Sequence, residues 1–278
     1  MLSTVWRKIM DDIDDLLQRY VNAYQVEQKR IPVELAKYRK EINEEEKELQ
    51  AAIAAGDRRL IYGYQDMLKH SKYDFISYQE KVSFLREPIK EDIQYRYRQR
   101  REFPQKIATL SEDMMLCFHG TDLKGAKHIL SSGAISSGAD RTGRATSFDP
   151  PGLISVTNKD TVDTSVSTYM NIDGNYCYPA GCLFVVTPAD KVEYAALSSS
   201  GWMIKNVDFK TQPDRLVSVV TTPENIDKVK NWAHLGGVDV SKVMDFDNFV
   251  RKYSLQNDKG LSLAVQKSIT TKSLDKSS

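Results

Sequence analysis

The apolar positions Trp6, Met10, Ile13, Leu17, Tyr20 and Tyr24 recur at steps of four and three residues. That spacing places them on one stripe of a helix. Pro32 interrupts the pattern and suits the first turn of a second helix. Gly56 and Asp57 read as a stop and a turn. A third helix is expected over residues 58–85, with Leu60, Tyr64, Met67, Leu68, Phe75 and Val82 as its apolar positions. Pro88 and Pro104 bracket a shorter helical piece. Residues 1–110 therefore predict a helical, coiled-coil-like domain. Its short Gly- and Pro-marked connections favour an antiparallel hairpin or three-helix bundle. The competing reading is a coiled coil that docks a protein target or pairs two copies of the chain as a homodimer. The polar run INEEEKEL at 42–49 weakens such a seam. The basic run RYRQRR at 96–101 reads as a solvated helix face, diluted by Glu91, Asp92 and Glu102.

Beyond residue 110 the pattern changes. Short β-branched or aromatic runs stand between turn residues: MMLCF, LISVT, GCLFVV, WMIK and RLVSVV. These predict strands, separated by short helices over 122–131, 161–170 and 223–234. The expected fold class is α+β, a helical hairpin or bundle followed by a split, mostly antiparallel sheet over 111–256. Residues 257–278, rich in Ser, Lys and Thr, predict a flexible tail.

Composition changes this picture little. The 278 residues carry 28% charged side chains and a formal net charge of +1. No global field recruits nucleic acid or an anionic membrane. No apolar run approaches the roughly 18–20 residues of a membrane span, and the N-terminus lacks a signal-peptide core. Cys117, Cys177 and Cys182 fit neither a disulfide framework nor a zinc pattern. The expected setting is cytoplasmic, or a host cell reached by a signal-peptide-independent route. Asp245 and Asp247 lack the companions of a calcium loop.

The candidate chemistry begins at Phe118-His119-Gly120-Thr121. A histidine at a strand end can aim a ring nitrogen into a cleft, Gly120 permits close backbone approach, and Asp122 can cap the following helix. Cys117, two residues from His119, is the one candidate thiol nucleophile. The polar loop over 136–151 has the length and composition of a functional loop. LISVTN then places hydroxyls at Ser155 and Thr157. The next helix carries Val162, Val166 and Tyr169 on one side, and the flat Tyr169 ring could stack on a heterocycle.

The order HGT, helix, glycine, loop, GLISVTN and a helix ending in STY resembles the ADP-ribosyltransferase superfamily, in its poly(ADP-ribose) polymerase and diphtheria-toxin branch. The resemblance covers roughly residues 112–225 and implies NAD as substrate. It implies that His119, Gly120 and Thr121 hold the adenosine-side ribose, that Ser155 serves the nicotinamide side and that Tyr169 stacks on nicotinamide. It implies mono-ADP-ribosyl transfer to a protein, with the helices choosing the target; such an architecture suits a bacterial effector or toxin. The branch stabilises an oxocarbenium-like transition state with a strand-leading glutamate. Here that place falls on Ser200 or Gly201. Glu193, Asp208 and Asp214 are the substitutes, with Glu193 and Asp214 the leading catalytic candidates. RNA 2′-phosphotransferases also carry an H-G-T strand, and Arg141 and Arg144 would then hold phosphate. The contrasting reading is a degenerate domain that binds a nucleotide or partner without catalysis.

Overall fold

The computed structural model describes residues 2–108, 115–137, 151–170, 177–188, 195–198 and 201–253. The fold is α+β: long helices, then small antiparallel and mixed sheets. The chain divides into two compact units, Met1–Lys90 with Gly174–Pro179, and Glu91–Asp173 with Ala180–Ser278. The expected tail, 257–278, lies outside the described residues.

In the first unit α1 (Leu2–Ala55) and α2 (Arg58–Val82) form an antiparallel hairpin. Gly56 turns the chain at a left-handed φ of 70°. The Asp57 carboxylate then accepts from the amides of Arg59 at 3.0 Å and Leu60 at 3.1 Å, which supplies donors at the helix start with an acceptor. Across the hairpin Ser71 Oγ donates to Glu45 at 2.8 Å and Lys72 pairs with Glu46 at 2.7 Å. Tyr38 lies against the rings of Phe75 and Tyr78. The break expected at Pro32 does not occur; α1 runs through it. Proline frees the carbonyl of residue i−4, here Gln28. Both residues are exposed, so water can satisfy the lost partner.

The second unit begins with α3 (Lys90–Ala108). The sequence boundary near residue 110 therefore falls one helix later than the division in the structure. The reason is aromatic. Phe103 meets Phe118 edge-on at 6.4 Å, Phe246 at 4.8 Å and Phe249 at 5.8 Å. Pro104 sits inside this helix, whose last turns are anchored by the buried Phe103 and Ile107. The run 96–101 is not a uniformly solvated face either. The Arg96 and Asp92 side chains are each 2% exposed and form an ion pair. Arg96 Nη1 also donates to the Met170 carbonyl at 3.4 Å.

The strands follow: β1 (Cys117–Thr121), β2 (Ala134–Ile135), β3 (Leu153–Val156), β4 (Cys182–Val186), β5 (Ala195–Ser198), β6 (Gly201–Lys205), β7 (Val207–Asp208), β8 (Leu216–Thr221) and β9 (Val243–Asp245). The interspersed helices are α4 (Leu123–Ser132), α5 (Val162–Met170), α6 (Ile226–Leu235) and α7 (Phe246–Tyr253). One sheet has the order β1-β4-β8-β9, a second β3-β6-β5, and β2 pairs with β7. Pairing is antiparallel except between β8 and β9. β4 is buried along its whole length, as expected of a strand flanked on both edges and covered on both faces.

Among the described residues the two larger sheets meet where β1 runs beside the end of β3. Phe118 and Thr157 exchange both backbone hydrogen bonds, at 2.8 and 2.9 Å. This bridge places β1 beside the end of β3 and defines a seam. Among the described residues no helix is long and apolar enough to cross a membrane.

Candidate functional site

His119, Gly120 and Thr121 lie within β1, not beyond its end. Their register opposite Phe184, Leu183 and Cys182 of β4 is what extends the strand; low β-propensity at a glycine yields to ladder pairing. His119 Nδ1 lies 2.9 Å from the Ser155 carbonyl oxygen. A carbonyl only accepts, so Nδ1 carries the proton, and in the neutral ring Nε2 is the acceptor nitrogen. The ring is thus tied across the seam, and it is partly exposed. Ser155 contributes its backbone to this contact, while the residue as a whole is exposed.

Gly120 has a different role from the one expected. A Cβ at this position would overlap the Ser165 carbonyl group of α5. The close approach that demands glycine is to a helix backbone of the same chain. Ser165 Oγ donates to the Phe118 carbonyl at 3.0 Å and accepts from Thr157 Oγ1 at 2.8 Å. Ser165 therefore clamps α5, β1 and the seam together; nothing in the sequence around it singled it out. Asp122 caps α4 as expected, accepting from the Gly125 amide at 2.7 Å. Gly181 passes equally close to the Thr121–Asp122 backbone, where a Cβ would overlap the Thr121 carbonyl.

Tyr169 is fully buried. Side chains alternate along a strand, so His119 shares a face of β1 with Cys117 and Thr121. Gly120 and Phe118 take the other face, against which α5 packs. Tyr169 therefore belongs to the layer of α3 and α5, and His119 projects from the opposite face. The expected pairing of the two rings around one dinucleotide is corrected on both counts: burial and side. Burial pushes the Tyr169 hydroxyl well above its ordinary pKa, with neighbouring Tyr95 and Cys182 acting the same way. Its oxygen has no hydrogen-bond partner among the described residues. An unsatisfied buried hydroxyl costs stability, and its removal at constant shape is close to neutral or better. Tyr169→Phe is expected to leave the melting temperature unchanged or raise it by a few degrees, which thermal denaturation reads directly.

Of the acids, Glu193 lies outside the described residues, as do Arg141 and Arg144. Asp214 is exposed in the turn Pro213–Arg215 that precedes β8. His119 sits opposite Phe184, which sits opposite Val219. Asp214 is thus two strands across and five residues back, roughly 19 Å away by strand spacing and rise. It stands apart from the seam at which His119 is held. Asp208 is tied by the amides of Lys210 and Thr211, the main cause of its lowered pKa. Cys117 is completely buried and offers no exposed sulfur. Cys182, also buried, has its thiol pushed up to about 12, the reverse of an activated thiolate.

Asp245 accepts from the Asn248 amide and side chain at 2.8 and 2.6 Å, and Asp247 pairs with Arg98 at 2.8 Å. Among the described residues no group of three or more His, Cys, Asp or Glu could hold a metal ion. No known family model, curated protein or solved structure matches the chain.

Proposed function

We propose that the second unit binds NAD along the seam between its two sheets and transfers ADP-ribose once to a protein target. The reading rests on the sequence resemblance and on one observation: His119, within H-G-T, is tied to the Ser155 carbonyl where the sheets meet and remains partly exposed. Held in this way, the imidazole can exchange hydrogen bonds with a ribose hydroxyl, and Thr121 stands on the same face. The buried Tyr169 takes no part in stacking. Glu193 is the carboxylate assigned to the cation formed as nicotinamide leaves. The helical hairpin would select the target; Val26, Val33, Tyr62 and Ile76 are exposed by 65%, 66%, 73% and 62%, apolar surface suited to a protein partner.

The test is nicotinamide release from NAD, followed by chromatography, in the presence of candidate protein acceptors. The wild-type chain is expected to release nicotinamide; Glu193→Gln is expected to lower the rate at least a hundredfold, by loss of an electrostatic stabiliser. Release unaffected by Glu193→Gln removes that residue, and no release from the wild type removes the transfer reaction. A second reading, nucleotide binding without transfer, is favoured by the burial of Tyr169. It predicts saturable NAD binding with no nicotinamide product.

A further inference from the structure

The outer face of the hairpin carries a pattern that the NAD reading leaves unused. α2 gives one stripe to α1: Ile61, Leu68, Ser71, Phe75 and Tyr78 are each partly buried, and Ser71 and Phe75 meet Glu45 and Tyr38 of α1. A second set, Tyr62, Asp66, Lys69, Tyr73 and Ile76, recurs at steps of four, three, four and three residues. At 3.6 residues per turn it lies roughly 150° round the helix from the first. All five residues are exposed, the two tyrosines and the isoleucine by more than half. None of the 25 residues of α2 is buried. Helices draw most of their stability in proteins from packing an apolar face, and tyrosine is enriched at interfaces relative to the rest of the surface.

The order of the charges selects the occupant. Read in reverse, the set is its own complement. With a two-fold axis between residues 67 and 68, Tyr62 of one copy falls beside Tyr73 of the other, and Asp66 beside Lys69. Arg59 falls beside Ile76, which its aliphatic stem can cover. A two-fold interface makes each of these pairs twice. The Asp66 side chain is 70% exposed, and its neighbour within the helix is His70 at 3.5 Å, so an ammonium group can reach it from outside. A parallel second copy would set Asp66 on Asp66 and Lys69 on Lys69, and like charges facing each other oppose association.

We propose that two copies of the chain pair antiparallel through this face of α2. The face belongs to the hairpin unit and His119 to the other, so the pairing and the NAD site stand or fall separately. Val26 and Val33 of α1 stay exposed for a target.

The test is sedimentation equilibrium of the full chain at micromolar concentration and low ionic strength. The wild type is expected to sediment as a dimer. Asp66→Lys sets cation against cation, and Lys69→Asp sets carboxylate against carboxylate. Each is expected to weaken self-association at least tenfold. An equimolar mixture of the two variants brings opposite signs together again and is expected to recover the dimer. Lys37→Glu, the same change of charge on an exposed position of α1, is expected to shift the dissociation constant less than twofold. Circular dichroism checks that each variant keeps its helices. A monomeric wild type, which would leave a different protein as the occupant, overturns the proposal. So does a dimer indifferent to both reversals, or a mixture that stays monomeric.

Discussion

Gly120→Ala is expected to destabilise the second unit by about 3 kcal/mol or more, enough to leave much of it unfolded at 37 °C. Overpacking of this kind costs about 1–3 kcal/mol when neighbours can move, and more when they cannot. Here the neighbour is the Ser165 carbonyl, part of a helix backbone. That helix is held by Ser165 Oγ on the Phe118 carbonyl and by Thr157 Oγ1 on Ser165 Oγ. Relief of the overlap would open the seam. Gly63→Ala is the matched control. It lies within α2, where an added Cβ meets nothing within 4 Å, and helix propensity should stabilise it by about 0.5–1 kcal/mol. Urea denaturation of the two variants should shift midpoints in opposite directions. A Gly120→Ala chain that melts with the wild type contradicts the packing of α5 on β1.

The second large effect concerns Asp92 and Arg96. Their side chains are each 2% exposed and paired within one helical turn. Loss of one member of a buried pair leaves an uncompensated charge and costs about 3–5 kcal/mol. Asp92→Ala is expected to lose that much. Asp92→Ala/Arg96→Met should recover most of it, because replacing both partners with apolar side chains is often neutral or better. Denaturant titration of the single and double variants reads the difference. A single variant within about 1 kcal/mol of wild type would show that the guanidinium finds solvent instead.

Local chemistry was the most legible part of the fold. Gly56 and Asp57 announce the hairpin turn, and Asp122 announces α4, because a left-handed glycine and a capping carboxylate act within a few residues. Pro32 and Pro104 misled because a proline's cost is also local, whereas the packing of a whole helix is not. The end of β1 was read too early because the ladder partner of His119 is Phe184, 65 residues on. Buried charge was invisible in RYRQRR: only the fold places Arg96 inside and leaves Arg98, Arg100 and Arg101 outside.

Tyr169 was misread as a stacking ring, and its neighbours on the helix explain why. Val162, Val166 and Tyr169 follow the four-and-three spacing of a core-facing stripe. All three are buried. That periodicity marked Tyr169 as core before its ring suggested stacking. Gly120 was correctly read as a site of close approach; what approaches is α5.

The claim on which the account turns is that His119, held by Ser155 at the seam, grips the ribose of NAD. Titration calorimetry of NAD into the wild-type chain, His119→Ala and Lys69→Asp measures it directly. The account predicts saturable binding to the wild type, at least tenfold weaker in His119→Ala and little altered in Lys69→Asp. Equal NAD affinity in the wild type and His119→Ala, or none in either, would contradict it.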